Sequence, residues 1–179
     1  MSKNYIKRLV ISAMLLAVGM TLPLLTGQIK EIGDSLLPMH LPVLLCGIIC
    51  GWKYGLGVGA ILPFFRSVTF GMPPIYPQAV WMAAELAAYG FIIGFVYSLI
   101  KTKELPRVYI SLISALLGGR VVWGVVKAIL LGAGGKSFTF ALFITGGFID
   151  AWPGIVIQLV LVPTLVFVYN RFIKRGIGL

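Results

Sequence analysis

Long apolar runs alternate along this chain with short polar gaps that hold most of its charge. The runs cover residues 5–27, 38–52, 54–70, 78–100, 107–131 and 149–173. A bilayer core about 30 Å thick needs about 20 apolar residues per helix. The pattern therefore predicts an all-α membrane protein, with residues 1–179 forming a single bundle of six transmembrane helices. The second and third runs are short, so these segments are expected to tilt, or one begins as irregular backbone buried in the bundle.

The breaks differ in kind. Trp52-Lys53-Tyr54 separates the second and third runs. The gap at 28–37 carries Lys30, Glu31 and Asp34, whereas Arg66 to Pro77 contains Gly71, Pro73, Pro74 and Pro77. Proline and glycine rule out regular helix there and favour a stiff, shaped connection, which reads as a lid over an outward-facing pocket. Tyr76 and Phe70 are placed to anchor it at the interface, a depth aromatics favour anyway. In the first helix Ala13 and Ala17, continued by Gly19, make a small-residue face that lets another helix approach closely. Gly55, Gly57, Gly59 and Ala60 make a second such face on the third.

Composition agrees with a membrane protein. Of the 179 residues 59% are hydrophobic and 11% charged, with a mean hydropathy of +1.02, where soluble domains are about half apolar and about a quarter charged. The formal charge of +10 forms no basic stripe and no nucleic-acid motif, so nucleic-acid binding is excluded. The basic residues instead mark sides of the membrane. With the N-terminus inside, Lys3, Lys7, Arg8, Lys53, Lys101, Lys103, Arg107, Arg171, Lys174 and Arg175 are cytoplasmic, against Lys30, Arg66 and Lys136 outside. Ten against three places both termini in the cytoplasm. The first run follows Lys3, Lys7 and Arg8 as in a signal peptide, but it lacks a small-residue cleavage site and is read as a retained helix.

Charges inside the membrane are costly unless paired or wetted, which makes them functional candidates. Glu85 lies about two turns into the fourth helix, with Trp81 one turn away on the same face. Arg120 and Lys127 share a face of the fifth helix, with Trp123 and Gly124 on or beside it. Asp150, Trp152 and Gln158 are expected in the outer half of the sixth. One acid cannot fully satisfy two buried cations, so Arg120 is expected to do more than pair with Glu85. A small polar or anionic compound would find both charge partners and aromatic surfaces in such a cluster.

Other chemistries are poorly supported. Cys46 and Cys50 do not have the spacing of a redox pair, and His40, the only histidine, cannot complete a zinc site with them. Gly134-Gly-Lys-Ser137 ends like a phosphate loop, but Leu130 stands where the first glycine is required. No nucleophile–base–acid set exists, which disfavours an enzyme. No internal repeat appears, which weakens the alternative of a stand-alone ion-coupled secondary transporter using Glu85 and Asp150.

In order along the chain stand Ala13-Met-Leu-Leu-Ala17, Met39-His-Leu-Pro-Val-Leu-Leu-Cys-Gly47, Pro63-Phe-Phe-Arg-Ser-Val-Thr-Phe-Gly-Met-Pro-Pro74, Glu85-Leu-Ala-Ala-Tyr-Gly90, Gly119-Arg-Val-Val-Trp-Gly124 and Pro153-Gly-Ile-Val-Ile-Gln-Leu-Val-Leu-Val-Pro163. Together they resemble the substrate-binding S components of energy-coupling factor (ECF) vitamin transporters. The resemblance implies a prokaryotic plasma-membrane protein that captures a vitamin-type ligand outside, with the loops after helices one and three as gates. It further implies docking through Ala13 and Ala17 to a transmembrane coupling subunit, with two ATPase subunits hydrolysing ATP and no cofactor in this chain. The expected substrate-binding residues are His40, Arg66, Tyr76, Trp81, Glu85, Arg120, Trp123, Lys127, Asp150 and Gln158. Two cations favour an acid such as pantothenate. The tryptophans equally allow a flat heterocycle such as a pyrimidine, pyridoxine, a folate fragment or dimethylbenzimidazole.

Overall fold

Backbone polar groups facing hydrocarbon must be satisfied within their own segment, so apolar runs without internal breaks propagate as helices. The computed structural model describes residues 3–24, 35–135 and 137–174, and those residues form helices and turns without a strand. The helices are α1 (Lys3–Thr21), α2 (His40–Ile49), α3 (Trp52–Phe70), α4 (Val80–Leu99), α5 (Glu104–Ala133), α6 (Phe140–Ile144) and α7 (Trp152–Val168). Wider helical turns lead into α4 (Ile75–Ala79), extend α6 (Thr145–Ile149) and continue α7 (Tyr169–Lys174).

Each of the six apolar runs contains a helix. Among the described residues, four stretches are long and apolar enough to cross a membrane: Asn4–Leu24, Ile75–Leu99, Glu104–Ala133 and Trp152–Arg171. Helix α2 has ten residues, about 15 Å, half a bilayer core. The break after it falls at Cys50 and Gly51 rather than at Trp52-Lys53-Tyr54, because Gly51 adopts φ 102° and turns the chain directly into α3. Helix α6 and most of its extension fall between the fifth and sixth apolar runs, and α7 begins at Trp152 rather than at 149.

Helix α4 is the centre of the bundle. Tyr89, Ile93, Leu44, Leu112 and Val162 form one apolar core joining α2, α4, α5 and α7. Leu86, Val43, Val58 and Leu62 form a second, joining α2, α3 and α4. The outer surface is apolar as well: Val68 is 79% exposed and Met14, on α1, 64%. Such an outside is insoluble in water but matches lipid.

Where α2, α3 and α4 cross, backbone meets backbone. A Cβ on Gly59 would lie 2.3 Å from the Leu86 carbonyl oxygen, one on Gly90 2.2 Å from that of Gly55, and one on Gly94 2.6 Å from that of Gly47. Without a hydrophobic drive between helices in lipid, close approach supplies the packing. Gly55 and Gly59 thus form the contact face expected on the third helix, while Gly57 meets nothing. On α1, Ala13 and Ala17 are exposed, but Gly19 points inward onto Leu62 and does not continue their face.

Gly59→Ala is expected to lower the thermal unfolding temperature of the detergent-solubilised protein, even though alanine favours helix by about 1 kcal/mol. Gly57→Ala, made in the same helix with room to spare, is expected to leave it unchanged or raise it.

Candidate functional site

Helices α4 and α5 are antiparallel neighbours joined by a short link, so residues on their facing sides pair in descending order. From the link upward, Arg107 stacks over Tyr97 at 3.8 Å. Next, the Tyr89 hydroxyl donates to the Leu116 carbonyl at 3.5 Å, Arg120 meets Glu85, and Lys127 meets Trp81. Trp81, Glu85 and Tyr89 are spaced four apart and share one face of α4. The sequence spacing of four on α4 and seven on α5 is what brings an acid and an aromatic opposite two cations.

The Glu85 carboxylate is the hub. Its Oε1 accepts from Arg120 Nη1 at 2.9 Å and lies 3.3 Å from His40 Nε2. The three side chains come from α4, α5 and the first residue of α2, and each residue is only 3% exposed. With Nε2 donating to the carboxylate, His40 presents Nδ1 as an acceptor. The His40 ring also meets Tyr89 edge-on, centroids 4.9 Å apart. A buried acid shared by two donors locks three helices together, at a desolvation cost that only good geometry offsets.

Spare hydrogen-bonding capacity remains on the hub and on Gln158 of α7. His40 Nδ1, Arg120 Nε and Nη2, and both amide atoms of Gln158 are buried without a hydrogen-bond partner among the described residues. A buried polar group left unpaired costs about 1–3 kcal/mol. Five such atoms fall on three of the expected site residues. Nε and Nη2 of Arg120 form one side of the guanidinium fork, the edge that binds a carboxylate through two parallel hydrogen bonds.

An aromatic wall flanks these groups. Lys127 Nζ lies 4.4 Å from the Trp123 ring centroid, 5.4 Å from that of Phe138 and 5.5 Å from that of Trp81. Arg120 sits 5.9 Å from the Trp123 centroid, and the turn at Gly147 covers both side chains, its Cβ position 3.5 Å from the Trp123 ring. Gly124 is small because Phe143 lies against it, 2.5 Å from where a Cβ would be. Tyr89, Phe138 and Phe143 were not among the expected site residues. The i+4 step from Glu85 points to Tyr89, whereas the phenylalanines lie outside the six apolar runs and carry no periodic signal.

The remaining expected residues lie elsewhere. Arg66 is not in a loop: it is buried within α3, donates to the Met20 carbonyl at 2.7 Å and lies over Phe70. Met20 and the turn behind it lead into the gap after α1, so Arg66 ties α3 to the root of that connection. Helix α3 continues past it and ends at Gly71, whose φ of 71° is the left-handed cap that glycine favours. The segment expected to act as a lid thus begins at Gly71. It contains cis peptides at Met72–Pro73 and Tyr76–Pro77, and Tyr76 is extended and 64% exposed. Asp150 is exposed in the turn before α7, not within a helix, because the regular turns start only with Trp152-Pro153 at the helix entry. Trp152 is 62% exposed. Lys30, Glu31, Asp34 and Lys136 fall outside the described residues.

A sequence model of the family described as "ECF transporter, substrate-specific component" matches residues 7–166, most of the chain. Comparison with curated proteins and with solved structures gives no significant match.

Removing the hub should be costly. Glu85→Gln is expected to destabilise the purified protein by about 3–5 kcal/mol, because it leaves a buried guanidinium without its counter-charge. Combining it with Arg120→Gln is expected to restore part of the loss. A double-mutant cycle read by thermal or denaturant unfolding measures that coupling.

Proposed function

The chain belongs to the family of ECF transporter substrate-specific components, and on that premise we propose that it captures a small vitamin-type acid from outside the cell. It is then a multi-pass protein of the prokaryotic plasma membrane and a transporter component rather than an enzyme. Its six spans form one domain, with both termini in the cytoplasm as the excess of basic residues on that side requires.

The observation that carries the substrate reading is the Nε–Nη2 edge of Arg120, without a partner among the described residues and buried beside a tryptophan. Glu85 occupies the other end of the guanidinium and orients it, so the free edge is held in place for a second carboxylate. Trp123 and Trp81 offer apolar faces for the body of the ligand, while Gln158 and His40 Nδ1 offer a donor, two acceptors and hence polar selectivity. This combination favours an acid with a polar, partly apolar body, as in pantothenate, over a neutral heterocycle. The Gly71-to-Pro77 segment, with exposed Tyr76, is the outer gate, and Asp150 lines its approach.

Delivery inward needs partners, since the Gly134-to-Ser137 stretch is no nucleotide site. Ala13 and Ala17 project from the exposed face of α1 among lipid-facing residues. That is the placement a docking face for a transmembrane coupling subunit requires, and two ATPase subunits would energise it.

Two outcomes test this reading. Arg120→Lys keeps the charge but removes the fork, and it is expected to weaken ligand binding at least about tenfold, roughly 1.4 kcal/mol. Unchanged affinity in isothermal titration would assign Arg120 a purely structural role. Ala13→Trp with Ala17→Trp is expected to abolish uptake into cells while ligand binding by purified protein persists. Uptake by this chain alone in liposomes under an ion gradient would instead support a stand-alone secondary transporter.

A further inference from the structure

A cavity of about 250 Å³ lies at the other end of the bundle from Glu85 and Arg120. It opens where the N-terminal turns of α1 meet the C-terminal ends of α2, α4 and α7. Its polar lining comprises Asn4, Lys7 and Arg8 of α1, Tyr97 of α4, and Tyr169 and Asn170 beyond α7. Ile11, Ile48 and Val166 make its apolar side. Twelve residues of α4 separate Glu85 from Tyr97, about 18 Å along the helix, so the two sites share no residue.

We propose that this cavity binds the headgroup of an anionic phospholipid. Among the described residues Lys7 and Arg8 are its cations and no carboxylate lines it, which suits a phosphodiester monoanion. The neighbouring Glu104 is engaged by Asn170, and Arg107 stacks on the back of Tyr97 while donating to its carbonyl. Asparagine amides and tyrosine hydroxyls can hydrogen-bond the glycerol and phosphate oxygens.

The volume matches a head without its tails. Pockets that enclose a small molecule run to roughly 300–1,000 Å³, and this one is smaller and lies open at its edge. The acyl chains have somewhere to go, because α1 presents exposed Met14 and Val18 further along the cavity's side of the helix. Basic pockets between helices at the membrane surface are suited to this use. The cavity also lies apart from the coupling face: Asn4, Lys7, Arg8 and Ile11 share a side of α1 about 150° around the helix from Ala13 and Ala17. Lipid and coupling subunit would therefore occupy different sides of one helix.

Native mass spectrometry of the delipidated full chain, titrated with phosphatidylglycerol or phosphatidylcholine of identical acyl chains, tests the proposal. Phosphatidylglycerol is expected to bind at least about fivefold more tightly, and Lys7→Gln with Arg8→Gln is expected to abolish that preference. Lys101→Gln, at an exposed position outside the cavity, is expected to keep it. Equal binding of both lipids to the unaltered chain, or a preference that survives the double substitution, would overturn the assignment. Displacement by glycerol phosphate at concentrations comparable to the lipid would also overturn it and point to a free small anion. Should the double variant fail to fold, Arg8→Gln alone, an exposed position, is expected to lose at least half the preference, and an undiminished preference there counts against the site. The readout involves no transported compound, so it stands or falls apart from the vitamin reading.

Discussion

One carboxylate oxygen holds the site together. Glu85 Oε1 takes Arg120 from α5 and His40 from α2 at once, with all three residues buried. A charge in that position is tolerable only if its partners stay close, and the glycine contacts between α2, α3 and α4, with Gly119 of α5 packed against the Tyr89 ring, keep the helices together. The hub in turn fixes what remains open. Because Arg120 spends Nη1 on Glu85, its other edge is aimed and rigid rather than mobile, and Trp123 and the turn at Gly147 close around it. Rigidity of this kind reduces the ordering cost of capturing a ligand.

The two ends of the bundle carry different chemistry. One has the acid–arginine–histidine hub, three aromatic rings about Lys127, and a proline-rich segment above α3. The other has basic side chains in short links, a tyrosine stacked under Arg107, and a cavity between helix ends. The central helix α4 runs through both, so a displacement at one end has a stiff path to the other. The exposed alanines of α1 lie on neither site but on the flank between them.

Much of this arrangement is legible in the sequence, for physical reasons. Hydrocarbon forces helices onto apolar runs, so the six runs appear as helices. Helical periodicity placed Trp81 with Glu85 and Arg120 with Lys127, and antiparallel packing of neighbouring helices brings those pairs face to face. Less legible were features set by single backbone positions. Gly51 moved the break between α2 and α3 ahead of Trp52, and Gly71 let α3 carry Arg66 inward before the chain turned. Asp150 read as intramembrane because apolar residues surround it, yet the helix starts only at Trp152. The short helix at 140–144 and its phenylalanines gave no sign, since a run that brief has no usable periodicity. The cavity at the basic end was hidden for another reason: topology alone accounts for Lys7 and Arg8, and only the convergence of four helix ends reveals what else they line.

The central claim is that the buried cluster around Arg120 exists to hold an acid. The most direct measurement is mass spectrometry of the small molecule carried through purification by the unaltered protein, released by denaturation and identified by its mass and fragmentation. The account predicts a stoichiometric carboxylic acid of vitamin size with a polar, partly apolar body. A stoichiometric ligand without any acidic group would contradict it.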